Sequence, residues 1–184
     1  REPGLVALQE LKLSDEQVPH AEFAAAGYQA LCHGQKAWNG VAVLARKPIE
    51  LVARGLPGQE AFGARLITAR LGDLEITSVY CPNGKDVDHA DFPLKLAWLD
   101  SLHAHLAAAH DPQRPGLVCG DFNVCPSALD SWNEEAFAGG IFHPDAERAR
   151  LRRLLDWGLV DAYRELHPTG RDYSWWDYRG GAFH

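Results

Sequence analysis

An aspartate and an asparagine, one residue apart, follow a short apolar run in the stretch Gly116 to Pro126, read as G-L-V-C-G-D-F-N-V-C-P. Asp121 and Asn123 are the residue types of a metal-dependent phosphoester site. The carboxylate can hold a cation or take a proton from water, and the carboxamide can donate to a phosphoryl oxygen. Gly116–Cys119 reads as a buried strand bounded by Pro115 and Gly120. In extended backbone, residues two apart point to one face, which would set Asp121 beside Asn123 and turn Phe122 away as an anchor. Asp and Asn also serve as plain turn residues, so the pair gains weight only from company. Two more predicted strands end in polar groups: Leu5–Gln9 before Glu10, and Leu74–Cys81, which carries Tyr80 and runs into Asn83. Strand ends at one sheet edge can converge on a single site.

Further strands are expected over Tyr28–His33, Val41–Ala45, Ile49–Arg54 and Arg65–Leu71, the last paired across the Gly72-Asp73 turn. Helices are expected over Asp15–Ala26, Phe92–His110, Pro144–Trp157 and Leu159–Glu165. In the longest, Leu96, Leu99, Leu102 and Leu106 form an apolar stripe; Leu151, Leu154 and Leu155 do so in the helix after Pro144. Tyr173–Tyr178 reads as an aromatic, strand-like segment. The 184 residues suit one domain with a sizeable core, and 46% apolar against 23% charged residues is an ordinary globular balance. No apolar run approaches a membrane span and no signal peptide is evident. The four cysteines form no C-x-x-C pair, so they read as reduced and mostly buried, and the chain as cytosolic. A net charge of −7 argues against a general polyanion binder, so a nucleic-acid role needs a local basic face or a bound cation. The chain holds no Met and starts Arg1-Glu2-Pro3, so it is expected to be processed or part of a longer protein.

Taken in order, these motifs resemble the exonuclease III family of abasic-site endonucleases, within the deoxyribonuclease I-like phosphoesterases. The matching stretches are Leu8-Gln9-Glu10-Leu11-Lys12, His33-Gly34-Gln35-Lys36 with Gly40-Val41-Ala42, Val79 to Gly84, Gly120-Asp121-Phe122-Asn123, Gly158 to Arg164, and Tyr173 to Arg179. The resemblance implies an α/β (α+β) four-layer sandwich, two packed mixed β-sheets flanked by helices. It implies catalytic roles for Tyr80, Asp121 and Asn123. Glu10 would be the Mg²⁺ ligand, with Asp121 and Asn123 beside the metal and Mn²⁺ as an alternative ion. Asp121 would orient and deprotonate the attacking water, Asn123 would position Asp121 and stabilise the pentacovalent transition state, and Tyr80 would donate to the scissile phosphate. Lys36, Trp38 and Asn39 match a DNA-contacting loop, Asn83 a phosphate contact, and Trp175 an aromatic of the pocket for a flipped-out abasic sugar. The implied substrate is double-stranded DNA with abasic sites or 3′ ends, handled by a monomer in the bacterial cytoplasm, at the nucleoid, with no membrane partner.

The family pattern also has a strand before the position of Arg1, and segments beyond His184 that supply two aspartates and a phosphate-binding histidine. Val87-Asp88-His89 is a poor substitute for them. Residues 1–184 are therefore expected to be one endonuclease/exonuclease/phosphatase-type domain, truncated at both termini, with little cleavage activity alone. A phosphatase acting on lipid or nucleotide phosphates and a non-catalytic DNA-binding fragment are the alternatives. Arg148, Arg150, Arg152 and Arg153 are expected on a solvated helix face. Asp161 is expected to order its loop, and the histidines, lacking ligand spacing, to be surface or core.

Overall fold

The computed structural model describes residues 2–176. Among them run the strands Leu5–Gln9 (β1), Gln29–His33 (β2), Val41–Ala45 (β3), Glu50–Arg54 (β4), Leu66–Leu71 (β5), Leu74–Tyr80 (β6) and Gly116–Asp121 (β7). The helices are His20–Ala25 (α1), Asp91–Ala109 (α2), Glu134–Phe137 (α3), Asp145–Trp157 (α4) and Ala162–Leu166 (α5). Strands β1-β3-β2 form an antiparallel sheet, and β4-β5-β6-β7 form a second in which only β6 and β7 run parallel.

Alternation along the strands builds the layers. Val41, Val43 and Ala45 of β3 pack on Ile67, Ala69 and Ile76 of β5 and β6, and so join the two sheets. The intervening Ala42 and Leu44 face the other way, with Val18, Cys32 and the α1 residue Phe23. Both faces of β3 are covered, so its sequence is an unbroken apolar run. On the outer face of the second sheet, Leu66 and Val79 meet Trp98, Leu99, Leu102 and Leu106 of α2 and Leu154 of α4. The order helix, sheet, sheet, helix is the expected four-layer sandwich. Each of these buried Leu and Val side chains contributes roughly 1.5–3 kcal/mol by leaving water.

The helices differ from the sequence reading in instructive places. Asp15–Gln17 is a single 3₁₀ turn closed by a Ser14–Gln17 capping box, and α1 begins only at His20. Pro19 drives Val18 into extended backbone and splits the expected helix. In α2 the buried stripe is Lys95, Trp98, Leu99, Leu102 and Leu106, and Leu96 is only half-buried. In α4 Glu147 and Leu154 are buried, whereas Leu155 is exposed. The basic face of α4 is largely consumed in ion pairs: Arg148 with Glu134, and both Arg150 and Arg153 with Asp100. The Asp161 carboxylate accepts from the Arg164 amide and caps α5. No strand forms over Tyr173–Trp176, and residues 177–184, with the rest of the expected aromatic strand, lie outside the described residues. All four cysteines are free; Cys32 and Cys81 are buried, and Cys119 and Cys125 half-buried.

Candidate active site

Three strand ends meet here. Tyr80 and Asp121 are register partners at the end of the parallel β6–β7 pair. Strand β1 packs across both from the other sheet and delivers Glu10. The Gln9 carboxamide, donating to the Ser78 hydroxyl at 3.1 Å, ties the sheets together one step below. Glu10 and Lys12 both adopt left-handed backbone, with φ of 56° and 58°. That sharp turn is held by the amides of Leu11 and Lys12, which donate to the carbonyls of Gly40 and Asn39. Strain in non-glycine residues at a strand end marks a site where position matters more than local comfort.

The side chains then interlock. The Tyr80 hydroxyl donates to Glu10 Oε1 at 3.0 Å, and Lys12 Nζ lies 3.1 Å from Glu10 Oε2. Arg65 stacks its guanidinium 4.7 Å from the Tyr80 ring centre and donates to the Tyr80 carbonyl at 3.1 Å. Burial, reinforced by the Glu10 charge, pushes the Tyr80 phenol up to about 12. Burial also raises the Asp121 carboxyl above its ordinary value. The Glu10 charge adds to this, while the Asn123 amide and the Lys95 and Arg65 charges oppose it. A buried carboxyl held beside a second carboxylate, with few protein donors around it, fits a hard divalent cation that keeps much of its water. Glu10 and Asp121 would hold it.

Asn123 reaches the site by a different route from the one its spacing suggested. The strand stops at Asp121, and Asn123 is left-handed at φ 48°. Its amide donates to Asp121 Oδ1 at 2.8 Å, closing a tight turn, and its side-chain nitrogen donates to the Cys81 carbonyl at 2.9 Å. Below it, the buried Lys95 ammonium donates to the Asn123 carbonyl at 2.5 Å, pairs with the buried Glu147, and sits 4.9 Å from the Phe142 ring centre. Gly120 makes the turn possible. At φ 135° a Cβ there would lie 2.0 Å from the Val79 carbonyl oxygen.

Glu10, Tyr80, Asp121 and Asn123 are thus brought together. Lys36 and Trp38 stand exposed on the loop whose Asn39 and Gly40 carbonyls hold the Glu10 turn. The Asn39 carboxamide itself points inward, donating to Gln35 Oε1 and the Phe62 carbonyl. Asn83 is exposed on the turn after β6, and its oxygen accepts from the Lys85 amide. Trp175, 63% exposed, lines a trough of about 1580 Å³ that also reaches Asp121, Asn123 and Trp132. The trough runs the length of β7 and is larger than the usual small-molecule pocket. Sequence reading missed Lys12, Arg65, Lys95 and Glu147. A lysine inside the helical leucine stripe was the available signal for Lys95.

The model of the endonuclease/exonuclease/phosphatase family matches residues 2–183. Exodeoxyribonuclease III of Haemophilus influenzae is 36% identical, over 99% of this chain and 73% of its own length. Among solved structures, an AP endonuclease from Archaeoglobus fulgidus superposes with a TM-score of 0.93 at 30% identity, covering 96% of this chain and 69% of that one. The 3′ phosphatase NExo from Neisseria, bound to a product DNA hairpin, gives 0.94 at 34% identity over all of this chain and 72% of that one.

Proposed function

Because this chain belongs to the endonuclease/exonuclease/phosphatase family, on its exodeoxyribonuclease III side, we propose that it hydrolyses phosphodiester bonds in duplex DNA, 5′ to abasic sites and at 3′ ends, where it also removes blocking groups. The observation that carries this reading is the meeting of Glu10, Tyr80 and Asp121 where strand ends of the two sheets come together, with the Tyr80 hydroxyl donating to Glu10 and Tyr80 beside Asp121 in register.

In this reading Mg²⁺, or Mn²⁺ in its place, is held through Glu10 with Asp121 and Asn123 alongside, and supplies charge neutralisation at the phosphate and the leaving oxygen. Asp121, its basicity raised by burial, takes a proton from a water aligned with phosphorus. The water oxygen bonds to phosphorus as the bond to the 3′ oxygen breaks, and the departing oxygen takes a proton from solvent, leaving a 3′ hydroxyl and a 5′ phosphate. Tyr80 keeps its proton and donates to the phosphoryl oxygen that gains charge. The Asn123 amide donates to Asp121 Oδ1 and fixes the base in place. Lys36 and Trp38 flank the Glu10 turn, where they can meet the DNA backbone, and Asn83 can reach a phosphate from the turn after β6. Trp175 offers an aromatic wall for a sugar without its base. Asn39 serves the same surface indirectly, by holding its loop in shape.

The test is Asp121→Asn in the full-length protein, assayed on labelled duplexes carrying an abasic site or a recessed or phosphate-blocked 3′ end. Turnover should fall by about 10²–10⁴ while duplex binding persists. Near-normal cleavage would remove Asp121 as the base.

A further inference from the structure

Below the Asn123 turn, three loops bring a thiol, a carboxylate and an imidazole together. Cys125 follows β7, Glu134 opens α3, and His143 precedes α4. Their ligand atoms all lie within 4.8 Å of one another, and all three residues are half-buried. The spacing, with eight residues between successive members, matches no familiar sequence motif. We propose that Cys125, Glu134 and His143 form a binding site for a borderline-soft divalent cation of the zinc class, separate from the carboxylate pair at Glu10 and Asp121.

The surroundings are those of oriented ligands. The Cys125 amide donates to the Phe142 carbonyl at 2.8 Å, so the backbones carrying the thiol and the imidazole are already tied. His143 Nδ1 lies 3.2 Å from the Ile141 carbonyl oxygen and Nε2 3.2 Å from the Ser131 hydroxyl, so whichever nitrogen coordinates, the other keeps a bond that orients the ring. The Phe137 ring stacks on the imidazole, with centroids 5.6 Å apart. Arg148 forks onto both oxygens of Glu134 at 2.7 and 2.9 Å and donates to the Cys125 carbonyl at 3.0 Å. Supporting bonds of this kind hold a ligating carboxylate and leave its outward lone pairs available. The Cys125 thiol faces the Ser127 carbonyl oxygen at 3.4 Å and stands 4.0 Å from the Arg148 guanidinium.

The donor set selects the ion. Sulfur with imidazole and one carboxylate suits zinc and not magnesium, and three protein ligands leave a fourth position for water. On binding, the thiol gives up its proton to solvent and its sulfur bonds the metal. The result is a cross-link between the loop leaving the active-site turn and the starts of α3 and α4.

The test uses the full chain, stripped of metal and titrated with Co²⁺ in excess Mg²⁺, which saturates oxygen-only sites. We expect one bound cobalt with a sulfur-to-metal charge-transfer band, displaced by zinc. Cys125→Ser should remove the band and weaken binding by at least about 100-fold, the upper end of what loss of a supporting bond alone costs. Glu134→Gln and His143→Gln should each weaken it at least about 10-fold, and Cys119→Ser should leave it intact. A wild-type chain with no sulfur band overturns the proposal without recourse to any variant. A band that survives Cys125→Ser, with folding confirmed by circular dichroism, overturns it as well.

Discussion

Tyr80 enters the neutral pH range as a donor and not as a base, since burial and Glu10 push its phenol up to about 12. Losing that one donor should cost about 10²–10³ in kcat. Tyr80→Phe is therefore expected to bind DNA normally and turn over slowly, as single-turnover kinetics would reveal. Asp121 leads to a pH prediction. Its carboxyl is raised, and only the deprotonated form can accept the water's proton, so activity should fall with acid at a pH above the ordinary aspartate value of about 3.9. The kcat–pH profile should show that limb. The strands that carry these residues were legible from their short apolar runs, while the expected roles came from the family resemblance; the ends were less sharp, since β7 runs on from Cys119 to Asp121. Asn123 was legible in identity but not in geometry. Its left-handed turn depends on Gly120 slipping under the Val79 carbonyl and on Lys95 reaching its own carbonyl from another element, and neither is a local signal.

Helices α2 and α4 meet the site through a single buried ion pair, Lys95 with Glu147. Breaking one partner leaves a buried charge uncompensated, at about 3–5 kcal/mol, whereas replacing both with apolar groups is often near neutral. Lys95→Met should thus lower the melting temperature sharply, and the Lys95→Met/Glu147→Leu double variant should recover most of it. The double variant should still turn over slowly, because nothing would then hold the Asn123 carbonyl; a double variant with full kcat would make the pair purely structural. The individual strands, the β5–β6 hairpin and the long α2 could be read from apolar periodicity and the Gly72-Asp73 turn, whereas their packing as two sheets was implied by the family resemblance. What periodicity could not show was a charge inside the stripe, since it scores Lys95 as polar and so slides the buried face toward Leu96. The same limit hid the arginines of α4. Their partners Asp100 and Glu134 lie on other elements, and only the fold turns an apparent basic face into a set of closed ion pairs.

At the scale of the molecule, a net charge of −7 and closed arginine pairs leave few cations to displace counterions from DNA. Each phosphate neutralised contributes about 0.9 to the slope of log K against log salt. Duplex affinity should therefore depend only shallowly on salt, with a slope of magnitude below about 3, and Lys36→Ala should reduce it by about one. Among the described residues no helix is long and apolar enough to cross a membrane. The parallel pairing of β6 and β7 has a consequence in time. The pairs β2–β3, β4–β5 and β5–β6 each join strands that follow one another in the chain, but β1 reaches β3 only past α1 and β2, and β7 reaches β6 only after the chain has passed through α2. Such crossovers close a long loop before any contact rewards it, and they form slowly. Trp98, packed between α2 and the sheet, is the one fully buried tryptophan of the described residues, so with the other five tryptophans replaced by Phe its emission reports their docking. On refolding from denaturant, far-ultraviolet dichroism should recover first and Trp98 fluorescence later. Cleavage should return last and together with the fluorescence, because Tyr80 and Asp121 become neighbours only when that crossover closes.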